Sequence, residues 1–503
     1  MPYDTADNRL LTFHDVTLRI RDRHMFKATQ WQINKGQQWV VLGPNGSGKS
    51  TLVRAIAGQT PVVGGSIQRH DPAAQIQAIG YLSFELLQSV VAKEQARDEA
   101  RYFSGHLDRR MTVAQFMADA NRLNTAYSPT IRRAFSQLGL KRLLTRPLQS
   151  LSNGEMRKIL ISRAALKTHG LLILDEPFDG LDSEAAKVLG SAIQSWIQAG
   201  IHIVLVTHRM REILPDFTHV IALKACQVAF TGPREHVLTH DNLKKIYDLV
   251  PDEVNGQPQT VDYPITRPTA EAKVVIDVRN ACVRYGPAIV FDRLDWRVHR
   301  GEHWAIIGPN GSGKTTLLQM VSGDHPQAYA NEIYLFGRRR GSGESVHEIK
   351  QRIGLCSAEF QINYRKPIRG LDVVISGFFD SIGLYRQADH KQQKTADRWM
   401  RRLNLSHLRE QRFDLLSYGE RRALLLVRAM VKSPDILALD EPCQGLDPAN
   451  RYKVIALLDD ICHNSSTQLL MITHHAGDLP RCITHQLEMN IGRVTLRFNR
   501  TLK

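Results

Sequence analysis

The sequence predicts an α/β fold laid down twice in tandem, and three observations carry that reading. The stretch "VVLGPNGSGKSTL" (Val40–Leu52) returns as "AIIGPNGSGKTTL" (Ala305–Leu317). The offset of 265 that takes Lys49 to Lys314 also takes Ser152 to Ser417, Asp175 to Asp440, Glu176 to Glu441 and Asp182 to Asp447, while His208 pairs with His474 at 266. In both copies an apolar run of strand length precedes the glycine-rich stretch and helix-compatible sequence follows it, a strand–loop–helix order. An offset held over more than a hundred residues means a repeated domain rather than scattered motif matches.

Size and composition agree with two cores. A chain of 503 residues with 43% hydrophobic and 23% charged residues exceeds what one core supports. The longest apolar runs, such as "LLIL" (Leu171–Leu174), fall far short of the roughly 20 residues that cross a bilayer. The beginning "MPYDTADNRL" lacks a basic flank before an apolar core, so no secretory signal is expected. Cys226, Cys282, Cys356, Cys443, Cys462 and Cys482 show no metal-ligand or paired spacing and read as reduced thiols of a cytosolic protein. The net charge of +16 favours an anionic partner, whether polyphosphate, nucleic acid or membrane surface, or is simply a basic soluble surface.

The repeats set the expected boundaries. Pro251–Ala272 has four prolines and little apolar periodicity, which reads as an extended connection. Domains are therefore expected at 1–235 and 273–503, joined by a linker over 236–272. The "KVVIDVRNACVRYG" that opens the second domain has the alternation of a strand pair.

Each copy then contains G-x-x-x-x-G-K-[ST], from Gly43 to Ser50 and from Gly308 to Thr315, behind the apolar runs "QWVVLG" and "HWAIIG". That context is strand, loop, helix. Glycines let backbone N–H groups face an anion, and the following helix N-terminus adds partial positive charge. The candidate phosphate ligands are Gly43, Asn45, Gly46, Gly48, Lys49, Ser50 and Thr51 in the first copy. In the second they are Gly308, Asn310, Gly311, Gly313, Lys314, Thr315 and Thr316. Ser50 and Thr315 are placed to hold Mg²⁺.

The runs "LLILDEP" (Leu171–Pro177) and "ILALDEP" (Ile436–Pro442) end buried strands in two carboxylates. Asp175 and Asp440 suit the Mg²⁺ shell, and Glu176 and Glu441 suit a general base that polarises water. An acidic strand end alone is equally a helix cap or turn, but here it follows a phosphate loop in both copies. His208 and His474 close the strands "HIVLVTHR" and "QLLMITHH". A lone histidine at a strand end is more often structural; recurring in register, this pair is read as contacting the γ-phosphate and ordering the water.

"LSNGE" (Leu151–Glu155) and "LSYGE" (Leu416–Glu420) have the spacing of capping boxes, Ser152 with Glu155 and Ser417 with Glu420. The order of phosphate loop, LSxGE, DEP strand, GLD and TH resembles the ATP-binding cassette (ABC) ATPases, and both copies match over nearly their full length. The resemblance implies two tandem ABC nucleotide-binding domains. Each would have a RecA-like phosphate-loop core, a helical signature subdomain and a small antiparallel β region. It implies hydrolysis of ATP with Mg²⁺, with a signature helix from one domain facing nucleotide held by the other. Ser417 and Gly419 would close over nucleotide at Lys49, and Ser152 and Gly154 over nucleotide at Lys314, the domains pairing within one chain.

Three departures stand out against that family. The signature's third residue is Asn153 or Tyr418 where Gly is usual. The position of the usual Gln holds Phe84 and Ala358, each followed by an acid, Glu85 and Glu359. An adenine-stacking aromatic falls at Tyr285, 29 residues before Lys314, whereas Ile20 holds the matching place before Lys49. Unequal affinities are therefore expected, tighter at the Lys314 site.

Within the family, "VVISGFFDSIGLY" (Val373–Tyr385) and the tandem layout resemble the ModF type, the ATP-binding part of molybdenum transport. That implies a membrane permease as partner, and a cytoplasmic place at the inner membrane face. The ribosome-binding ABC-F translation factors share the terminal Glu of the signature and the basic charge, but carry a longer charged linker. Fused sugar-importer ATPases share the length but keep the Gln. A nucleotide-gated clamp with slow turnover is a further reading; retention of both Glu and both His favours turnover.

Overall fold

In this computed structural model the described residues are 8–20, 23–71, 74–83, 111–121, 138–151, 153–168, 170–247, 273–285, 288–357, 364, 367–490 and 493–498. The chain divides into two units, Met1–Asn255 and Gly256–Lys503.

The described residues of the first unit form two sheets. β1 (Arg9–Ile20), β2 (Arg23–Asn34) and β4 (Val62–Arg69) form an antiparallel sheet in the order β2-β1-β4. β3 (Trp39–Leu42) lies centrally in a second sheet with β5 (Ile79–Leu82), β6 (Leu171–Asp175), β7 (His202–Thr207), β8 (His219–Lys224) and β9 (Gln227–Pro233). Its order is β5-β6-β7-β3-β8-β9, parallel except for β9.

The strands explain their own sequences. Leu172 and Leu174 of β6 join one core with helices α2 (Val113–Asn121), α3 (Asn153–Lys167) and α4 (Ser183–Gln198). Leu171 and Ile173 face a second core with β1, β2 and α1 (Lys49–Ile56). A strand buried on both faces cannot alternate with polar residues, which is why "LLIL" reads as continuous apolar sequence.

The second unit repeats the plan. β10 (Val274–Tyr285), β11 (Ala288–His299), β13 (Glu332–Leu335) and β14 (Arg338–Arg339) pair in the order β11-β10-β13-β14. The main sheet runs β15-β16-β17-β12-β18-β19, from β12 (Trp304–Ile307), β15 (Ile353–Ser357), β16 (Ile436–Asp440), β17 (Gln468–Thr473), β18 (His485–Asn490) and β19 (Arg493–Phe498). Trp304 and Ile306 of β12 face one core; Ala305 faces the other, which takes in α7 (Gly370–Ile375) and α8 (His390–Arg402).

Two expectations change. The segment read as a strand pair at the start of the second domain is one twelve-residue strand, β10. Its pairing with β11 shifts between Val278 and Ala281, where Asn280 takes φ 46°, so a bulge keeps a single strand going where alternation suggested a turn. Within 236–272, read as linker, residues 240–247 form α5 (His240–Tyr247), whose Ile246 and Tyr247 are buried in the first unit. The Tyr247 hydroxyl donates to the His208 carbonyl at 2.9 Å. Residues 248–272 lie outside the described residues.

Candidate functional site

Each phosphate loop joins the C-terminal end of a central strand to a helix: β3 to α1, and β12 to α6 (Lys314–Ser322). The first loop glycine is required by close approach. A Cβ on Gly43 would lie 2.4 Å from the Leu223 carbonyl oxygen, and one on Gly308 2.0 Å from that of Met489. Gly48 and Gly313 precede the helices at φ 92°, a conformation side chains resist.

Both lysines are buried and held by their own loops. Lys49 Nζ donates to the carbonyls of Gly43 at 2.9 Å and Pro44 at 3.0 Å. Lys314 Nζ donates to Gly308 and Pro309, each at 2.8 Å. Lys49 also stands 3.8 Å from Glu176 Oε1. Loop carbonyls in both units, and the Glu176 carboxylate in the first, thus face ammonium groups aimed at the cradle a phosphate chain would fill.

The acidic strand ends lie beside these loops. Thr315 Oγ1 donates to Asp440 Oδ2 at 2.8 Å. In the first unit Asp175 is bonded by Ser50 and accepts from the Tyr81 hydroxyl at 3.3 Å, while its Oδ1 is buried without a partner. Burial and the adjacent Glu176 push the Asp175 carboxyl up to about 7. Burial, against the Thr315 bond, pushes Asp440 up to about 6. A buried carboxylate with a spare oxygen beside a hydroxyl is a hard-oxygen donor set that fits Mg²⁺.

Glu176 and Glu441 occupy left-handed backbone, φ 51° and 50°. Such strain persists only where surrounding bonds hold it. The bonds here are Glu176 N–H to the Val206 carbonyl and Glu441 N–H to that of Ile472, both 3.0 Å. Arg157 and Arg422, buried on the helices behind, donate to the carbonyls of Glu176 at 3.4 Å and Glu441 at 2.9 Å. The two arginines share the 265 offset, a signal the sequence offered and motif reading missed. Burial alone would raise the Glu176 carboxyl, but His208, Lys49 and Arg209 outweigh it and bring it down to about 2.

The histidines meet these glutamates. His208 Nδ1 lies 3.1 Å from Glu176 Oε1, and His474 Nδ1 lies 2.8 Å from Glu441 Oε1. The other ring nitrogen differs between units. Arg209 Nε donates to His208 Nε2 at 3.1 Å, so that nitrogen is an acceptor and the ring proton sits on Nδ1, facing Glu176. In the second unit that neighbour is His475, its ring centroid 3.9 Å from that of His474, and His474 Nε2 is buried without a hydrogen-bond partner.

The signature of the second unit is described in full. Ser417 caps α9 (Tyr418–Met430): its Oγ accepts from Glu420 N–H at 3.3 Å and its N–H donates to Glu420 Oε2 at 2.8 Å. Tyr418 packs against Gly445, and Gly419 against Asn450. In the first unit Ser152 lies outside the described residues; Glu155 accepts from Arg146 at 2.9 Å, and a Cβ on Gly154 would meet Leu181 at 3.9 Å. Phe84, Glu85, Ala358 and Glu359 also lie outside the described residues. Tyr285 ends β10, half exposed, its hydroxyl 2.7 Å from His325 Nε2; Ile20 ends β1. No cysteine forms a disulfide, and Cys462 and Cys482, 20 residues apart in sequence, meet beside His303.

Residues 26–179 and 291–444 each match the ABC transporter family. The chain is 40% identical over 479 residues to the ABC transporter ATP-binding protein ModF of Escherichia coli, covering 94% of this chain and 95% of that one. It is 27% identical over 487 residues to an uncharacterized ABC transporter ATP-binding protein of Schizosaccharomyces pombe, covering 94% and 96%. Among solved structures, RNase-L Inhibitor matches 97% of this chain and 91% of its own with TM-score 0.58 at 16% identity, a likeness of fold. Among the described residues no helix is long and apolar enough to cross a membrane.

Proposed function

Because the chain belongs to the ABC transporter family, we propose that its two ATP-hydrolysing units form the ATP-binding component of a molybdate-type transport system. The observation that supports this reading is 40% identity with the Escherichia coli ModF protein, sustained across 94% of this chain and 95% of that one. It acts, on this reading, in the cytoplasm against a membrane permease at the inner membrane face.

The chemistry is in-line attack of water on the γ-phosphate. Lys49 and Lys314 exchange their loop carbonyls for β- and γ-phosphate oxygens. Mg²⁺, held by Ser50 with Asp175 and by Thr315 with Asp440, supplies charge neutralisation at the phosphates when bound. Glu176 and Glu441 polarise the water; His208 and His474, expected to contact the γ-phosphate, instead orient the glutamates through their Nδ1 bonds, the His208 Nε2 being taken by Arg209. From the repeat of loop and signature we infer that Ser152, Gly154, Ser417 and Gly419 contribute contacts to nucleotide phosphate. Tyr285 stacks on adenine in the second unit.

The test is recovery of partners from the native cells with the Glu176→Gln, Glu441→Gln protein and ATP. Loss of the base holds nucleotide in place and preserves the partner that prefers that state. A co-purifying membrane permease supports the transport reading. Ribosomes or RNA would overturn it in favour of a translation factor, the reading that the net charge of +16 favours.

A further inference from the structure

Two thiols separated by 20 residues in sequence meet in the second unit, away from the phosphate loop. Cys462 is buried in the last turn of α10 (Pro448–Asn464), and Cys482 is half-buried in the loop before β18. His303 stands just before β12. The two sulfurs and a ring nitrogen of His303 all lie within 4.8 Å of one another. Among the described residues the first unit shows no such trio, and the matching positions are Gln38, Ile197 and Asp216.

Such a trio suits either a metal ion or a reactive thiol pair, and the ring decides between them. His303 Nδ1 accepts the backbone N–H of Leu469 at 3.0 Å. A neutral ring that accepts at Nδ1 carries its proton on Nε2, so it offers the sulfurs a donor and not the lone pair a metal needs. Gln38 makes the same bond one repeat earlier, its Oε1 accepting Ile203 N–H at 2.6 Å. Accepting from the next strand is therefore the structural duty of this position, and histidine adds an N–H on its far side. An N–H and a neighbouring S–H both favour a thiolate. The Cys482 thiol foremost, then His303, bring Cys462 down to about 6 against its burial, while the bond to Cys462 and burial push Cys482 well up.

We propose that Cys462 and Cys482 are a reversible redox pair, oxidised by a hydroperoxide to a disulfide within the second unit. The Cys462 thiolate sulfur attacks one peroxide oxygen; an S–O bond forms, the O–O bond breaks, and the departing hydroxide takes up a proton as water. The Cys482 sulfur then attacks the sulfenic sulfur. The S–S bond forms, the S–O bond breaks, and the Cys482 proton leaves with the hydroxide as a second water. Two thiols and one peroxide become one disulfide and two waters, and a thiol reductant reverses the change. The bond draws the sulfurs from within 4.8 Å to about 2 Å. It ties the end of α10, which begins at the turn after Glu441, to the loop that follows His474.

The experiment exposes the full chain to hydrogen peroxide at pH 7, blocks remaining thiols with an alkylating reagent and maps peptides by mass spectrometry. A Cys462–Cys482 cross-linked peptide that disappears with dithiothreitol is expected. In Cys482→Ser, Cys462 should instead be trapped as a dimedone adduct. His303→Gln, which installs the residue of the first unit, should slow oxidation at least about threefold with an unchanged circular dichroism spectrum. Full alkylation of both cysteines under peroxide that oxidises Cys226 would overturn the proposal, as would an unaltered rate in His303→Gln. One zinc ion retained per purified chain and lost in Cys462→Ser would overturn it in favour of a metal site.

Discussion

Replacing Arg209 by Ala removes one cation from among several buried acids, and the structure sets the size of the effect. Arg209 lies 3.5 Å from Asp179 Oδ1 and 3.7 Å from Glu212 Oε1, with side chains only 10–14% exposed. At an effective dielectric near 20, each contact is worth roughly 4–5 kcal/mol before desolvation is counted. Burying the guanidinium offsets much of that. Removal of one partner still leaves uncompensated charge, which costs about 3–5 kcal/mol.

The variant also loses the Arg209 Nε bond that fixes the His208 tautomer. Its stability deficit should depend on pH. Burial already raises Glu212, and Arg209 is the largest influence pulling it down. Without Arg209 the folded pKa rises further above the unfolded value. A raised carboxyl keeps its full stability below the unfolded pKa and loses it as pH climbs toward the folded one. The deficit should therefore be smallest near pH 4 and grow toward neutrality. Urea titration read by hydrogen exchange on peptides of each unit measures it. Peptides of the first unit should lose protection at lower urea, those of the second unit unchanged. An unshifted midpoint at pH 7 would show that this network contributes nothing.

Three further outcomes are expected. Glu176→Gln with Glu441→Gln should cut ATP turnover by about 10²–10⁴-fold while nucleotide binding persists; hydrolysis at the parental rate would remove both from the role of base. Ser417→Ala breaks the capping box of α9 and should cost about 1 kcal/mol of stability in the second unit, seen as a lower denaturation midpoint. Tyr285→Ala should weaken nucleotide binding at the Lys314 site only, measured by photo-crosslinking of a nucleotide analogue with peptide mapping. Equal labelling of both units in the parent, unaffected by the substitution, would refute the unequal-affinity reading.

The sequence by itself determined the repeat, the phosphate loops and the strand-end acids. These depend on local necessities: glycine where Gly43 and Gly308 meet a carbonyl, apolar residues throughout strands buried on both faces, and a Ser–Glu pair at a helix start. Such constraints act over a few residues and so leave a spacing that can be read. Tertiary structure alone decided which distant groups complete each site. The aligned repeats show His475 in the place of Arg209, but the histidine–glutamate contact spans 32 residues, and only the fold reveals that Arg209 sets the His208 tautomer. Pairing of Cys462 with Cys482 depends on where a helix end meets a loop between strands, and no periodicity records that meeting. Asn280 likewise turned an expected strand pair into one strand, because a single positive φ absorbs the extra residue within a ladder. Side-chain chemistry is written along the chain, whereas hydrogen-bond partners are assigned by the sheet order that brings strand ends together.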